Sequence, residues 1–342
     1  MTRLGITVDY ADDFAASASE AVEFERAGID VIAVAEAYSF DAVSRLGYLA
    51  AITERVALMS AILPVFSRSP ALIAMTAAGL DSVSGGRFEL GLGSSGAQVI
   101  EGFHGVPFTA PLGRQREIVE ICRSVWRRER LQHAGTQYTI PLPGGPGKPL
   151  KLINAPVRER IPIHLASLTA KAVEQTAEIA DGWLPLFFHP TKSAAAWGDA
   201  LAAGTARRDP ALGPLDVIVT APFHLGAGSD RALDAHRQHL ALYVGGMGAV
   251  GANFYNDLAA RYGYADEAAR VQELYLAGEK AAAAAALPED LVRDTALIGT
   301  ESEVRERIAA LVGAGMTTLM IAPLAPTREG RVEAVEAARS LV

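Results

Sequence analysis

The chain has a single cysteine, Cys122, among 342 residues, so it can form no intrachain disulfide and no cysteine-based metal centre. It has no basic cluster. Its 31 lysines and arginines against 39 acidic residues leave a net charge of −8 spread along the chain, which argues against nucleic acid or an anionic membrane as main partner and in favour of a small molecule. No apolar run approaches the ~20 residues that a membrane-spanning helix needs. Residues 1–13 carry one basic group, Arg3, and turn acidic at once, without the apolar stretch and cleavage site of a secretory signal; the expectation is a cytoplasmic protein in a reducing compartment. The seven histidines lack H-x-x-x-H and H-E-x-x-H spacing, so no metal site is expected, and the absence of a G-x-S-x-G elbow argues against a hydrolase.

Half of the residues are hydrophobic, enough for a large core. Short β-branched runs alternate with longer alanine-rich amphipathic stretches, the pattern of repeated βα units and a parallel sheet. Eight strands are predicted: Leu4 to Val8, Val31 to Ala35, Val56 to Leu63, Phe88 to Leu92, Ile161 to Ala166, Asp181 to Leu186, Asp216 to Ala221 and Thr317 to Ile321. Pro70 suits the first turn of a helix, and Thr300 with Glu303 reads as a capping box ahead of Val304, Ile308 and Leu311. Eight regular units favour one closed (β/α)8 TIM barrel over residues 1–342 rather than an open doubly wound sheet. Two segments break the rhythm. The proline- and glycine-rich stretch 133–152 reads as a loop or hairpin, and 243–291 as a helical insertion beside the barrel mouth, opening with Gly245, Gly246, Met247 and Gly248 as either a segment able to close over substrate or a simple flexible linker.

In such a barrel the site is built just past the carboxyl ends of the strands. Strand one runs into Asp9. Strand two runs into Glu36 and Tyr38, with Glu36 either facing a ligand or paired with an arginine such as Arg68. Gly91-Leu92-Gly93-Ser94-Ser95-Gly96 follows strand four as a weak phosphate-cradle signal. Trp183, Phe187 and Phe188 could wall a pocket, and His189 is either a titrating donor or a helix cap.

The order Pro64, Arg68, Pro70, then Ser84-Gly85-Gly86-Arg87 leading into Leu90-Gly91-Leu92-Gly93, resembles the luciferase-like monooxygenase superfamily, as do Ala180-Asp181-Gly182-Trp183 and Ile298-Gly299-Thr300 with Ala314-Gly315-Met316. The resemblance runs to about Ile321 and is strongest to the branch that uses the deazaflavin coenzyme F420. It implies a non-prolyl cis peptide at Ser60-Ala61 against the cofactor ring, and phosphate contacts from Ser94, Ser95 and Gly96 and from Ser167, Leu168 and Thr169, with Asp9 and Glu36 also at the cofactor. Helix N-termini and exposed amides bind anions without a lysine.

The chain departs from the branch at two positions. Its sugar-phosphate and alcohol dehydrogenases carry a histidine after the strand-two acid and a glutamate in the strand-four turn, where this chain has Ala37 and Gly96. Their proton-transfer scheme does not carry over, sugar phosphate is a poor substrate, and Glu36, Tyr38 and His189 are left as candidate proton donors. The expected function is F420-dependent hydride transfer with a small, moderately apolar organic substrate. The alternatives are an FMN-dependent monooxygenase, which would consume oxygen as a deazaflavin lacking N5 does not, and a cofactor-binding barrel without turnover. Many relatives are dimers, so a homodimer is implied as one possible assembly.

Overall fold

A computed structural model describes residues 2–8 and 14–342. Eight parallel strands close a ring: β1 (Arg3–Val8), β2 (Val31–Val34), β3 (Ala57–Ser60), β4 (Phe88–Gly93), β5 (Ile163–Ala166), β6 (Gly182–Leu184), β7 (Asp216–Leu225) and β8 (Thr318–Pro323). Each pairs with the next, and β8 pairs back onto β1 with Arg3 opposite Thr318 and Ile6 opposite Ile321. Two further short strands, Leu63–Pro64 and Leu297–Gly299, pair with β4 and β7 at the carboxyl rim.

The strands separate two packing environments. Leu4, Ile6, Ile32, Val34, Leu58, Leu90, Leu92, Ile163 and Leu165 belong to the large core between sheet and helices, whereas Val31, Ala33, Met59, Ile218 and Met320 form a separate cluster inside the ring. The two-residue period of a strand sends alternate side chains to these faces. Helix Pro70–Val83 starts with Pro70 in its first turn behind the cap Ser69, and helix Glu301–Gly313 has the complete Thr300–Glu303 capping box.

Several predicted strands differ in extent. The run Val56 to Leu63 breaks after Ser60 and resumes at Leu63. Its non-prolyl cis bond is Ala61-Ile62, one residue beyond the expected Ser60-Ala61, because Ser60 stays in register opposite Val34 and the Ala61 amide still donates to the Val34 carbonyl (2.8 Å). The fifth strand starts at Ile163, since Pro162 has no N–H to donate, and the sixth stops at Leu184 ahead of Pro185. The seventh continues to Leu225.

The segment 133–152 contains an antiparallel pair, His133–Ala134 with Thr139–Ile140. The helical insertion begins before residue 243: the chain leaves β7 at Leu225, passes through helices Ser229–Ala241, Phe254–Arg261, Ala265–Leu276, Lys280–Ala285 and Glu289–Asp294, and rejoins the sheet at Leu297. Because it leaves and returns at the carboxyl end of β7, it lies over the mouth. It is fastened to the loops after β5 and β6, the Tyr262 hydroxyl donating to the Phe187 carbonyl (2.9 Å) and Arg261 to the Leu168 carbonyl (2.7 Å).

Candidate functional site

The inward positions of the strands form three layers. At the amino-terminal end Arg3 donates to Glu89 (2.6 Å), Glu89 meets His164 Nε2 (2.9 Å), and Asp216 accepts from Arg3 (3.4 Å) and from the Thr318 hydroxyl (2.8 Å). Burial alone would raise the Glu89 pKa, but the His164 hydrogen bond and charge together with Arg3 outweigh it and bring it down to about 2. Above lies the apolar layer of Ala33, Met59, Ile218 and Met320; the Met320 sulfur occupies the space beside Gly5, where a Cβ would sit 2.1 Å from it. The third layer, at the carboxyl end, has six small side chains, Thr7, Ala35, Ala61, Ala166, Thr220 and Ala322, together with the larger Leu184, which pairs with Ala166 and packs on the apolar layer. All six remain partly exposed, while outward neighbours such as Val8, Val34, Leu165, Ala221 and Ile321 are buried. The ring is therefore plugged below and lined at its carboxyl end mainly by small, partly exposed side chains.

The break in the third strand is locked to β4. The Ser60 hydroxyl donates to the Gly91 carbonyl and accepts from the Gly91 amide, both at 2.9 Å, and is fully buried. A Cβ on Gly91 would lie 1.8 Å from the Ser60 carbonyl oxygen, so only glycine permits this approach. The expected contact at Ser60 is thus one of backbone shape, its side chain being committed to the Gly91 backbone, and Ala61 and Ile62 present the partly exposed surface.

The two expected phosphate elements emerge from neighbouring strands. Leu92 pairs with Leu165, and Gly93 lies beside Ala166. Ser94, Ser95 and Gly96 turn out of β4 with Ser95 in the left-handed region (φ 58°), and the buried Gln115 side chain donates to the Ser94 hydroxyl (3.3 Å). After β5, Ser167 and Leu168 lead to Thr169, which caps helix Ala170–Ile179 by accepting from the Ala172 amide (3.4 Å). The Ser167 hydroxyl pairs with Thr176 (2.9 Å), so at these positions only backbone groups remain for a ligand at Ser167.

The three candidate proton donors have different surroundings. Both Glu36 oxygens are engaged by Arg68 (2.5 and 2.8 Å), and one also takes the Ala42 amide (2.9 Å), so Glu36 is the paired carboxylate that the sequence left as one of two readings. His189 is fully buried beneath the insertion. Its Nδ1 accepts from Thr191, its Nε2 lies 3.6 Å from an Asp294 oxygen without a hydrogen bond, and burial holds its pKa below the ordinary value against the pull of Asp294. Tyr38 is 67 % exposed at the rim, its ring against Phe103. Asp9 lies outside the described residues.

Trp183 and Phe188 pack with Trp197 in the core, while Phe187, at φ 52°, stands edge-on to Tyr243 and Tyr255. The segment opening with Gly245 is held at its base. Residues 242–246 form a π-helical turn against Tyr275, and the Asn253 side chain donates to the Tyr243 and Val244 carbonyls (2.9 and 3.0 Å). No group of three or more potential metal ligands is gathered among the described residues.

The small inward layer and the two tryptophan donors at the β5 loop, Trp183 and Trp197, escaped sequence reasoning, although the alternation Gly5-Thr7, Ala33-Ala35 and Gly91-Gly93 carries the first signal.

The luciferase-like monooxygenase profile matches residues 1–318. A Mycobacterium tuberculosis protein provisionally named a coenzyme F420-dependent oxidoreductase is 40% identical over 304 residues, covering 87% of each chain. The 5,10-methylenetetrahydromethanopterin reductase of Archaeoglobus fulgidus is 25% identical over 321 residues, covering 91% of this chain and 90% of its own. The structure of the coenzyme F420-dependent tetrahydromethanopterin reductase from Methanopyrus kandleri superposes over 100% of this chain and 98% of its own with a TM-score of 0.81 at 20% identity, a likeness of fold.

Proposed function

We propose that this chain, which belongs to the luciferase-like monooxygenase family, is an oxidoreductase that binds coenzyme F420 at the carboxyl end of its barrel and moves a hydride between it and a small, moderately apolar organic substrate. The observation that carries this reading is the layer of small, partly exposed side chains at the carboxyl end, flanked on adjacent strands by the two turns at Ser94–Gly96 and Ser167–Thr169. The 40% identical relative named for the same coenzyme supports the choice of cofactor.

The residues present fit such a group. The Ala61-Ile62 surface and the alanine and threonine layer leave a floor for a flat ring. The Ser94, Ser95 and Gly96 turn and the amides of Leu168 and Thr169 would hold the phosphate by backbone dipoles, with no lysine required. The bound coenzyme would supply the hydride-carrying carbon; the protein would orient the acceptor beside it and exclude water. Glu36 is assigned to holding the rim through Arg68, and His189 to the seat of the insertion. Tyr38, open at the rim, is assigned as the proton donor. Tyr38→Phe is expected to lower turnover by about 10²-fold with cofactor affinity retained; unchanged turnover would remove Tyr38 from the reaction.

The reading is tested by incubating the protein with reduced coenzyme F420 under nitrogen and a panel of ketones, imines and conjugated alkenes while following deazaflavin oxidation. Acceptor-dependent oxidation is expected. Oxygen uptake with reduced FMN and no exchange with the deazaflavin would overturn the assignment in favour of a monooxygenase.

A further inference from the structure

The loop that opens helix Ala170–Ile179 is held from behind by an unusual set of donors. The Ser167 carbonyl accepts from the Trp183 indole (3.0 Å), and the Leu168 carbonyl accepts both the Trp197 indole (2.7 Å) and Arg261 Nη2 (2.7 Å). A trans peptide unit is planar, with its N–H antiparallel to its C=O. Fixing these two carbonyls therefore aims the amides of Leu168 and Thr169 the opposite way, and among the described residues neither amide donates to a protein acceptor. Trp183 and Trp197 are buried and edge-on to each other at 5.1 Å, so the indoles cannot swing away.

Among the described residues Arg261 meets carbonyls and no carboxylate, as Arg87, Arg208 and Arg307 do elsewhere in the chain, and is distinguished from them by its place against the loop that opens helix Ala170–Ile179. Its other arm donates to the Ala196 carbonyl (3.1 Å) and its guanidinium lies 5.7 Å from the centre of the Trp197 ring. Arg68, Arg116, Arg158 and Arg207 each hold a carboxylate. Among the described residues none forms an ion pair with Arg261; Asp257, four residues earlier on its helix, acts on it only at longer range. A half-buried cation bound to carbonyls alone adds its field to the positive end of the helix. Two aimed amides, a helix start and a guanidinium without a direct ion-pair partner together suit a phosphate.

We propose that Arg261, carried by the helical insertion 93 residues from Leu168, is a positioning residue for the phosphate end of the cofactor, an inference that rests on the cofactor reading above. The insertion is then part of the cofactor site as well as a cover for the mouth. Arg261 acts through the Leu168–Thr169 peptide and through its charge, without touching the reacting ring.

The test compares dissociation constants, by quenching of tryptophan fluorescence, for coenzyme F420 and for the phosphate-free ribityl deazaflavin, in wild type, Arg261→Met and Arg261→Lys. In Arg261→Met the F420 constant is expected to rise at least about tenfold while that of the phosphate-free compound changes less than about twofold; Arg261→Lys, which keeps charge but loses the two-carbonyl fork, falls between. Parallel weakening of both ligands, or no change in either, would overturn the proposal. Wild type that binds neither deazaflavin would remove the cofactor reading and this inference with it, whereas wild type that binds both equally would leave the reading standing and remove the phosphate role. Thermal unfolding checks that each variant folds; should Arg261→Met fail, Arg261→Lys and Trp197→Phe, which removes the second donor to the Leu168 carbonyl, carry the same comparison.

Discussion

At the scale of single residues, the site depends on positions whose importance lies in what they leave out or tie down. Gly91 has the sharpest steric requirement. Replacement by alanine would drive a methyl group into the Ser60 carbonyl 1.8 Å away, both being backbone-fixed. Gly91→Ala is expected to cost at least about 3 kcal/mol in a denaturant titration, the upper range of an overpacked core; a near-wild-type midpoint would mean that the third-strand break is not built as described. Glu36 is a second such residue. Both of its oxygens hold Arg68, so Glu36→Gln leaves a partly buried guanidinium short of its charge partner and is expected to destabilise by about 3 kcal/mol. Unchanged stability with lost turnover would instead return Glu36 to the chemistry. The turns at Ser94–Gly96 and Ser167–Thr169 were pointed to by the family resemblance, because a Gly-x-Gly after a strand is by itself a weak signal. The pairing of Glu36 was one of two readings the sequence allowed, since a carboxylate at a strand end looks the same whether it faces a ligand or an arginine 32 residues away.

At the scale of elements, the eight barrel strands were readable because each combines a β-branched run with a following amphipathic stretch. What was missed has identifiable causes. Leu297–Gly299 is too short for periodicity to detect, and the break after Ser60 lies within a continuous apolar run. Ser229–Ala241 has the pattern of an ordinary barrel helix, so the insertion's start was hidden; the helix that returns to β8 is Glu301–Gly313. The insertion also contains a titratable anchor. His236 is buried, bonded to Thr295 (2.9 Å), and burial, helped by His239 and Arg237, brings its pKa down to about 3. A histidine with a lowered folded-state pKa binds fewer protons folded than unfolded, so its contribution is complete above about 6.5 and is lost as pH falls toward about 3. Relative to the intrinsic amide rate, which itself slows as pH falls, the protection factors of helices Ser229–Ala241 and Glu289–Asp294 are expected to drop from pH 7 to pH 4, and His236→Gln should flatten that dependence. A pH-independent insertion would contradict the assignment.

At the scale of the whole molecule, the barrel is polar and closed at one end, apolar in the middle and lined mainly by small side chains at the other. The Arg3–Glu89–His164 network has its own acid signature. The Glu89 pKa is depressed, so its stabilisation is present above the ordinary carboxylate value of about 4.5 and disappears as pH falls through about 2. Glu89→Gln should remove that part of the acid-unfolding curve; an identical acid limb in the variant would show that the network carries no net stability. The two ends of the barrel thus differ, the lower one tied by the Arg3–Glu89–His164 network and the upper one lying under an insertion that reaches back to the loop after β5 through Arg261.

The most direct test of the cofactor assignment is an equilibrium titration of the purified apoprotein with coenzyme F420 and, separately, with FMN, followed by tryptophan fluorescence, since Trp183 and Trp197 both donate to the loop before helix Ala170–Ile179. The account predicts saturable quenching by the deazaflavin at micromolar concentration or below and much weaker binding of FMN. Tighter binding of FMN, or binding of neither, would contradict it.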